Sequence, residues 1–254
     1  MSISYRHITP TLASQIRLVI TDVDGTLNYG GDSVSTEVSE VISCLQEQGI
    51  IIGLASGRTL PMLESMASDL GISGPLIAEN GGVAKLKAND ELMNLGYSRQ
   101  SALKALKKLK TLFPDALKER EDNKDRLVDV VFWAYGIATE ELIKHLGDTQ
   151  LLDSGYILHL MQKDVSKGRT LMRLLGEIGD GNLSPANVVV FGDSLTDISL
   201  FELFPHSVQI INPRLSFELS QPLQELAEYF SELPVDQGFA EVARHIINTR
   251  DSRK

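Results

Sequence analysis

Leu18-Val19-Ile20-Thr21-Asp22-Val23-Asp24-Gly25-Thr26-Leu27 runs a short apolar strand straight into two carboxylates spaced one residue apart, then a glycine. An apolar run this short, ended by Gly, reads as a fully buried strand. In open α/β sheets ligands bind beyond the carboxyl ends of the strands, so Asp22 and Asp24 fall at the rim of a site. Side chains at i and i+2 share one face of a strand. Two carboxylates there repel each other unless a cation lies between them, and paired oxygens suit a hard ion such as Mg²⁺. The plain alternative is a turn after a strand, where Asp-Gly is common. The rest of the chain decides between the two.

Outward from this stretch, Met1 to Gln15 reads as a polar lead-in. After the aspartates comes a Gly- and Ser-rich stretch, Gly30-Gly31-Asp32-Ser33. Val38, Val41, Ile42 and Leu45 then fall on one helical face, with Ser35 as N-cap and Gly49 as stop. Ile50 to Leu54 reads as a second buried strand, ending in Ala55-Ser56-Gly57-Arg58. A helix begins near Pro61, with Leu63, Met66, Ala67 and Leu70 on one face. Leu76-Ile77-Ala78 is a third strand, closed by Glu79-Asn80-Gly81-Gly82. This βαβαβ alternation predicts a parallel sheet with right-handed crossovers.

From about residue 84 to 163 the chain is more charged and its strands are weaker. Leu103, Leu106 and Leu109 mark one face of a Lys-rich helix whose lysines face solvent. Lys118 to Arg126 reads as a loop or hairpin, Leu127 to Tyr135 as a strand, Glu140 to Leu146 as a helix and Tyr156 to Met161 as a strand. His159 reads as a packing or hydrogen-bonding residue. The α/β rhythm returns at Lys167-Gly168, which opens a helix carrying Leu171, Leu174, Leu175 and Ile178. Val188 to Phe191 leads into Gly192-Asp193-Ser194-Leu195-Thr196-Asp197, and a helix follows over about 198–203. Val208 to Ile211 is a further strand; a helix near 215–226, a strand around Tyr229-Phe230 and a helix from about Phe239 to Ile247 complete the chain. The expected fold is α/β, a Rossmann-like parallel sheet core over 1–83 and 164–254 with a small α+β domain inserted over 84–163.

Composition narrows the function classes. The 254 residues suffice for one large domain or two small ones. A net charge of −10 argues against nucleic acid, which needs a basic face, but leaves room for an anionic substrate in a locally positive site. Cys44 is the single cysteine, which excludes an intrachain disulfide and a cysteine-rich zinc site. No apolar run spans a membrane and no signal pattern opens the chain, so the expected location is cytoplasmic. Oligomeric state is not readable from the sequence.

Four separated elements carry polar groups of matching kinds: Asp22 and Asp24; Ser56, Gly57 and Arg58; Lys167; Asp193 and Asp197. In these motifs, Asp22-Val23-Asp24-Gly25-Thr26, Ser56-Gly57, Lys167-Gly168 and Gly192-Asp193 through Asp197, the chain resembles the haloacid dehalogenase superfamily of phosphatases. The gap between Gly82 and Lys167 resembles the cap insertion of its Cof-type branch. Gly74 to Gly82 and Ser154 to Met161 resemble archaeal-type phosphoglycolate phosphatases; sucrose-phosphate and mannosyl-3-phosphoglycerate phosphatases share the core motifs. Thr196 departs from the Asn that many relatives carry before the last aspartate.

The resemblance implies Asp22 as nucleophile forming an aspartyl-phosphate, and Asp24 as the acid that protonates the leaving oxygen and then activates water. It implies Mg²⁺ held by Asp22, the Asp24 backbone carbonyl, Asp193 and Asp197. Ser56 and Gly57 would bind the phosphoryl oxygens and Lys167 would neutralise their charge. A lysine at a helix N-terminus opposes the helix dipole, which favours a functional reading; for Asp197 an N-cap role coexists with metal binding. Arg58, Asn80, Arg120 and Arg126 are weaker substrate candidates, an arginine being suited to a substrate carboxylate. The expected substrate is a small phosphorylated metabolite, first phosphoglycolate, then a sugar phosphate. A dehalogenase has no use for Asp24. A phosphomutase and a non-catalytic phosphate-binding or receiver-like regulatory module are the other readings, the last disfavoured by the full set of catalytic residues.

Overall fold

The computed structural model describes residues 2–31 and 33–251; Asp32 of the Gly- and Ser-rich stretch lies outside them. The elements in chain order begin with β1 (Ile3–Ser4), α1 (Pro10–Gln15), β2 (Leu18–Thr21), α2 (Thr36–Glu47), β3 (Ile51–Ala55), α3 (Leu60–Asp69), β4 (Leu76–Ala78) and β5 (Val83–Lys85). Next come α4 (Gln100–Leu112), β6 (Leu117–Glu119), β7 (Val130–Ala134), α5 (Thr139–Ile143), β8 (Thr149–Asp153) and β9 (Leu158–Gln162). The chain closes with α6 (Lys167–Leu175), β10 (Val188–Gly192), α7 (Ile198–Leu203), β11 (His206–Ile211), α8 (Phe217–Leu226), β12 (Tyr229–Pro234) and α9 (Val235–Asp251). Among the described residues no helix is long and apolar enough to cross a membrane.

The larger sheet has the order β1-β12-β11-β10-β2-β3-β4-β5. Every pairing in it is parallel except β4 with β5. All four residues of β2 are buried, because helices cover both faces of the sheet. Val38, Val41, Ile42 and Leu45 of α2 bury against one face, and the Ser35 hydroxyl caps the helix by accepting from the Val38 amide. Leu171, Leu174 and Leu175 of α6 bury against the other. Each such side chain contributes about 1.5–3 kcal/mol on burial.

The register positions the site. Phe191 of β10 lies opposite Thr21 of β2, and Thr21 lies opposite Leu54 of β3. The loops that follow these three strands therefore leave the sheet side by side, bringing the 22–26, 56–58 and 193–197 segments together. The smaller sheet, β6-β7-β9-β8, is antiparallel and carries α4 and α5 on one face, with Phe132, Leu158 and Leu160 packed beneath them.

Several local expectations change. The lead-in holds β1, which pairs with β12 at the sheet edge, and the capped helix α1. β5 turns back antiparallel, so the sheet is not wholly parallel. Ala102, Ala105, Leu106 and Leu109 form the buried face of α4, while Leu103 is 44% exposed; alanines complete the stripe that leucines alone suggested. β8 was not expected, since its residues are half-buried and lack an apolar run. The strand expected from Leu127 begins only at Val130, because the amides of residues 127–129 are bound elsewhere.

Candidate active site

At the end of β2, Asp22 is buried, and its Oδ1 accepts from Lys167 Nζ at 2.7 Å. Lys167, the first residue of α6, also donates to Asp197 Oδ1 at 2.7 Å and to Thr196 Oγ1 at 3.2 Å. Thr196 thus meets the lysine with its hydroxyl. Asp197 Oδ2 accepts the backbone N–H groups of Asp193 and Ser194 at 3.1 and 3.2 Å, which folds the loop after β10. Asp193 accepts from Thr26 Oγ1 at 3.2 Å and from Asn212 Nδ2 at 2.7 Å. Gly25, at φ +92°, passes so close to Asp193 and Asn212 that any Cβ would collide with them.

Charge in this cluster does not balance. Asp22, Asp193 and Asp197 are buried and place one carboxylate oxygen each within 4.8 Å of the others. Lys167 is the cation among them. Burial pushes the Asp22 carboxyl up to about 7 against the pull of Lys167, with the charges of Asp197 and Asp24 adding to the rise. Burial, then Asp22 and Asp197, hold Asp193 well above the ordinary carboxylate value. Burial works against the Lys167 ammonium, but Asp197 and Asp22 outweigh it and raise its pKa. Fully ionised, the group carries a surplus of two negative charges, which one divalent cation would balance. The donor set is all oxygen, as a hard ion requires. Asp197 is held by the Lys167 ammonium and two backbone amides. Among the described residues, Asp193 meets only the neutral side chains of Thr26 and Asn212, and Asp22 is bonded at Oδ1 alone, so Asp22 and Asp193 are the carboxylates best placed to hold it.

Asp24 lies apart from this cluster. Its carboxylate takes a two-pronged bond from Arg58, Nε to Oδ2 at 2.9 Å and Nη2 to Oδ1 at 2.6 Å. Arg58 also donates to the Gly31 carbonyl. Ser56 is buried at the end of β3, and its Oγ accepts the Arg58 amide at 3.2 Å, which leaves the hydroxyl hydrogen to be donated.

The second wall comes from residues 120–129 and 154–159. Asp22, Ser56, Asn80, Arg126, Tyr156 and His159 are among the residues that enclose a cleft of about 340 Å³. Arg126 is buried and donates to Asp129 at 2.7 Å, Asp122 at 2.9 Å and the Gly57 carbonyl at 2.9 Å. Arg120 pairs with Asp122 at 3.0 Å. Both arginines reach the cleft, but each is already matched by carboxylates. His159 Nδ1 lies 2.8 Å from Asp129 Oδ2. Burial opposes the Asp129 charge, yet the His159 bond and Arg126 hold its carboxyl below the ordinary value. Burial lowers the His159 pKa in spite of Asp129. Glu79, fully buried, accepts the amides of Leu127, Val128 and Asp129 at 2.8, 2.7 and 3.0 Å.

Asp129 and Glu79 were not singled out in the sequence, and His159 was read as a packing or hydrogen-bonding residue. The available signal for His159 was alternation: Leu158 and Leu160 bury under α4, so His159 must face the opposite way, toward the cleft.

A family model described as haloacid dehalogenase-like hydrolase matches residues 19–125 and 116–214. A phosphoglycolate phosphatase of Methanospirillum hungatei is 29% identical over 233 residues, covering 90% of this chain and 96% of the relative. One of Methanoculleus marisnigri is 31% identical over 237 residues, again covering 90% and 96%. Among solved structures, a Thermoplasma acidophilum protein superposes with a TM-score of 0.77 at 23% identity, covering 91% of this chain and 98% of its own. The sucrose-phosphatase of Synechocystis, solved with sucrose and phosphate, gives 0.72 at 18% identity, covering 91% and 97%.

Proposed function

The chain belongs to the haloacid dehalogenase-like hydrolases and is a phosphatase, and from that premise we propose that it hydrolyses a small phosphate monoester through a phosphorylated Asp22, with Mg²⁺ as cofactor. The observation that carries this reading is the buried, uncompensated carboxylate cluster around Lys167. Mg²⁺ held by Asp22 and Asp193 would supply electrostatic stabilisation of the charge on the phosphoryl group.

The residues of the chain do the rest. An Asp22 oxygen attacks phosphorus as the bond to the leaving oxygen breaks. Asp24 delivers a proton to that oxygen, for which it must first exchange its Arg58 pair for a proton. Ser56 Oγ and the Gly57 amide donate to the phosphoryl oxygens, and Lys167 neutralises them from the side. Water then attacks phosphorus, Asp24 takes its proton, and the bond to Asp22 breaks to release phosphate. Residues 84–163 act as a cap that keeps bulk water from the first step, over a core of 1–83 and 164–254.

Two observations bear on the leaving group. The relatives named phosphoglycolate phosphatase support glycolate, as does a cleft at the small end of the usual ligand range. The pairing of Arg120 and Arg126 with carboxylates favours a neutral, hydroxylated group instead. The test of the shared reading is turnover of p-nitrophenyl phosphate: EDTA should abolish it and added Mg²⁺ restore it. Full activity in metal-free buffer would sink the cofactor assignment.

A further inference from the structure

Asn80 is fully buried at the floor of the cleft, and neither its Oδ1 nor its Nδ2 has a hydrogen-bond partner. Its position is fixed by a left-handed run, with φ of +49°, +54° and +103° at Glu79, Asn80 and Gly81. Such backbone persists only where the surroundings impose it, and a buried amide with nothing to bond is costly. His159 faces the same place from the other wall. A Cβ built on Gly57 would stand 3.0 Å from His159 Nε2 and 3.2 Å from Asn80 Nδ2, so both side chains lie against Gly57 of the phosphate-binding turn.

Their hydrogen-bonding characters differ. Arg126 keeps Asp129 ionised, and Asp129 accepts from His159 Nδ1, which places the ring hydrogen there. The neutral ring then offers the Nε2 lone pair to the cleft, with no other hydrogen bond to it among the described residues. Asn80 Nδ2 offers a donor. We infer that Asn80 and His159 form a subsite for a hydroxyl of the leaving group, so that polyol or sugar phosphates are preferred to esters bearing a carboxylate. A hydroxyl accepts from the amide and donates to the imidazole; a carboxylate has no proton for Nε2. Charge agrees with this. On the wall that carries His159, Arg126 is matched by Asp129 and Asp122, and Arg120 by Asp122.

This inference rests on the phosphatase reading and chooses among its substrates. The test compares kcat/KM of the full-length protein with Mg²⁺ on glycerol phosphate, phosphoglycolate and p-nitrophenyl phosphate, the last carrying neither group. Glycerol phosphate should exceed phosphoglycolate by tenfold or more, a comparison that needs no variant. His159→Leu and Asn80→Gly, the latter compatible with the left-handed backbone, should raise KM for glycerol phosphate about tenfold and leave p-nitrophenyl phosphate within about twofold. His159→Gln should recover part of the loss. A tenfold wild-type preference for phosphoglycolate overturns the inference, as does an equal loss on all three esters. No turnover of any ester by the wild type would overturn the phosphatase reading itself.

Discussion

On the core side of the cleft carboxylates outnumber cations; on the cap side the two match. Asp22, Asp193 and Asp197 share Lys167, whereas Asp122 and Asp129 are met by Arg120 and Arg126, with His159 hydrogen-bonded behind them. The first group is buried throughout; in the second Arg126, Asp129 and His159 are buried while Arg120 and Asp122 remain partly exposed, and both set aspartates against cations. The first carries a surplus of negative charge that a bound proton or a divalent cation relieves, as befits a site that must receive an ion and a phosphoryl group. The second is complete as it stands, and what it presents to the cleft is shape and hydrogen bonding.

The largest expected effect falls on the unbalanced side. Asp22→Asn should lower kcat by about 10⁴-fold or more, as loss of a covalent nucleophile does, while the fold survives. A near wild-type rate would rule out the phosphorylated intermediate. On the balanced side the consequence should be structural. Arg126→Ala leaves Asp129 buried beside a neutral imidazole and should cost about 3–5 kcal/mol in denaturant melts. A variant as stable as wild type would mean that the cap cluster is not the closed ion network its distances describe.

Asp193→Asn probes the contrast most directly. Removing one carboxylate from the crowded cluster should raise the melting temperature of the metal-free protein, on the order of 2–4 °C for each kcal/mol of repulsion relieved. With Mg²⁺ in excess the wild type should regain the lead, because the ion binds the folded state. A fall in the metal-free melting temperature would contradict the surplus of negative charge.

The smallest effect is a pH slope. His159 and Asp129 both have lower pKa values in the fold than in the unfolded chain. The unfolded state therefore binds more protons on each, and stability falls with acidification. The His159 share is intact above about 6.5 and is lost below it; the Asp129 share follows below about 4. Urea melts with Mg²⁺ saturating should show this slope between about pH 7 and 5. His159→Gln should flatten it, and an unchanged slope would place its origin elsewhere.

The unbalanced side was legible in the sequence and the balanced side was not. Asp22, Ser56 and Asp193 each follow an apolar run directly, so strand, turn and polar group are read from adjacent residues. Parallel pairing then assembles them without further information. The cap cluster joins Asp129 to His159 across two antiparallel strands, and Arg126 to the core through the Gly57 carbonyl. No local pattern encodes those contacts. Arg126 reads in sequence as a weak substrate candidate, and only the fold shows that two carboxylates occupy it.

The grip of Glu79 on residues 127–129 has a mechanical consequence. One carboxylate of the core holds three successive amides of the opposite wall, and Gly82 leaves no room between its backbone and Val128. Lifting that edge would strip a buried anion of all three donors at once. At the other edge Asn212 donates to the Tyr156 hydroxyl at 3.0 Å and Leu152 packs against the core. The 127–129 edge, through Glu79, is pinned to the core by charge as well as by packing.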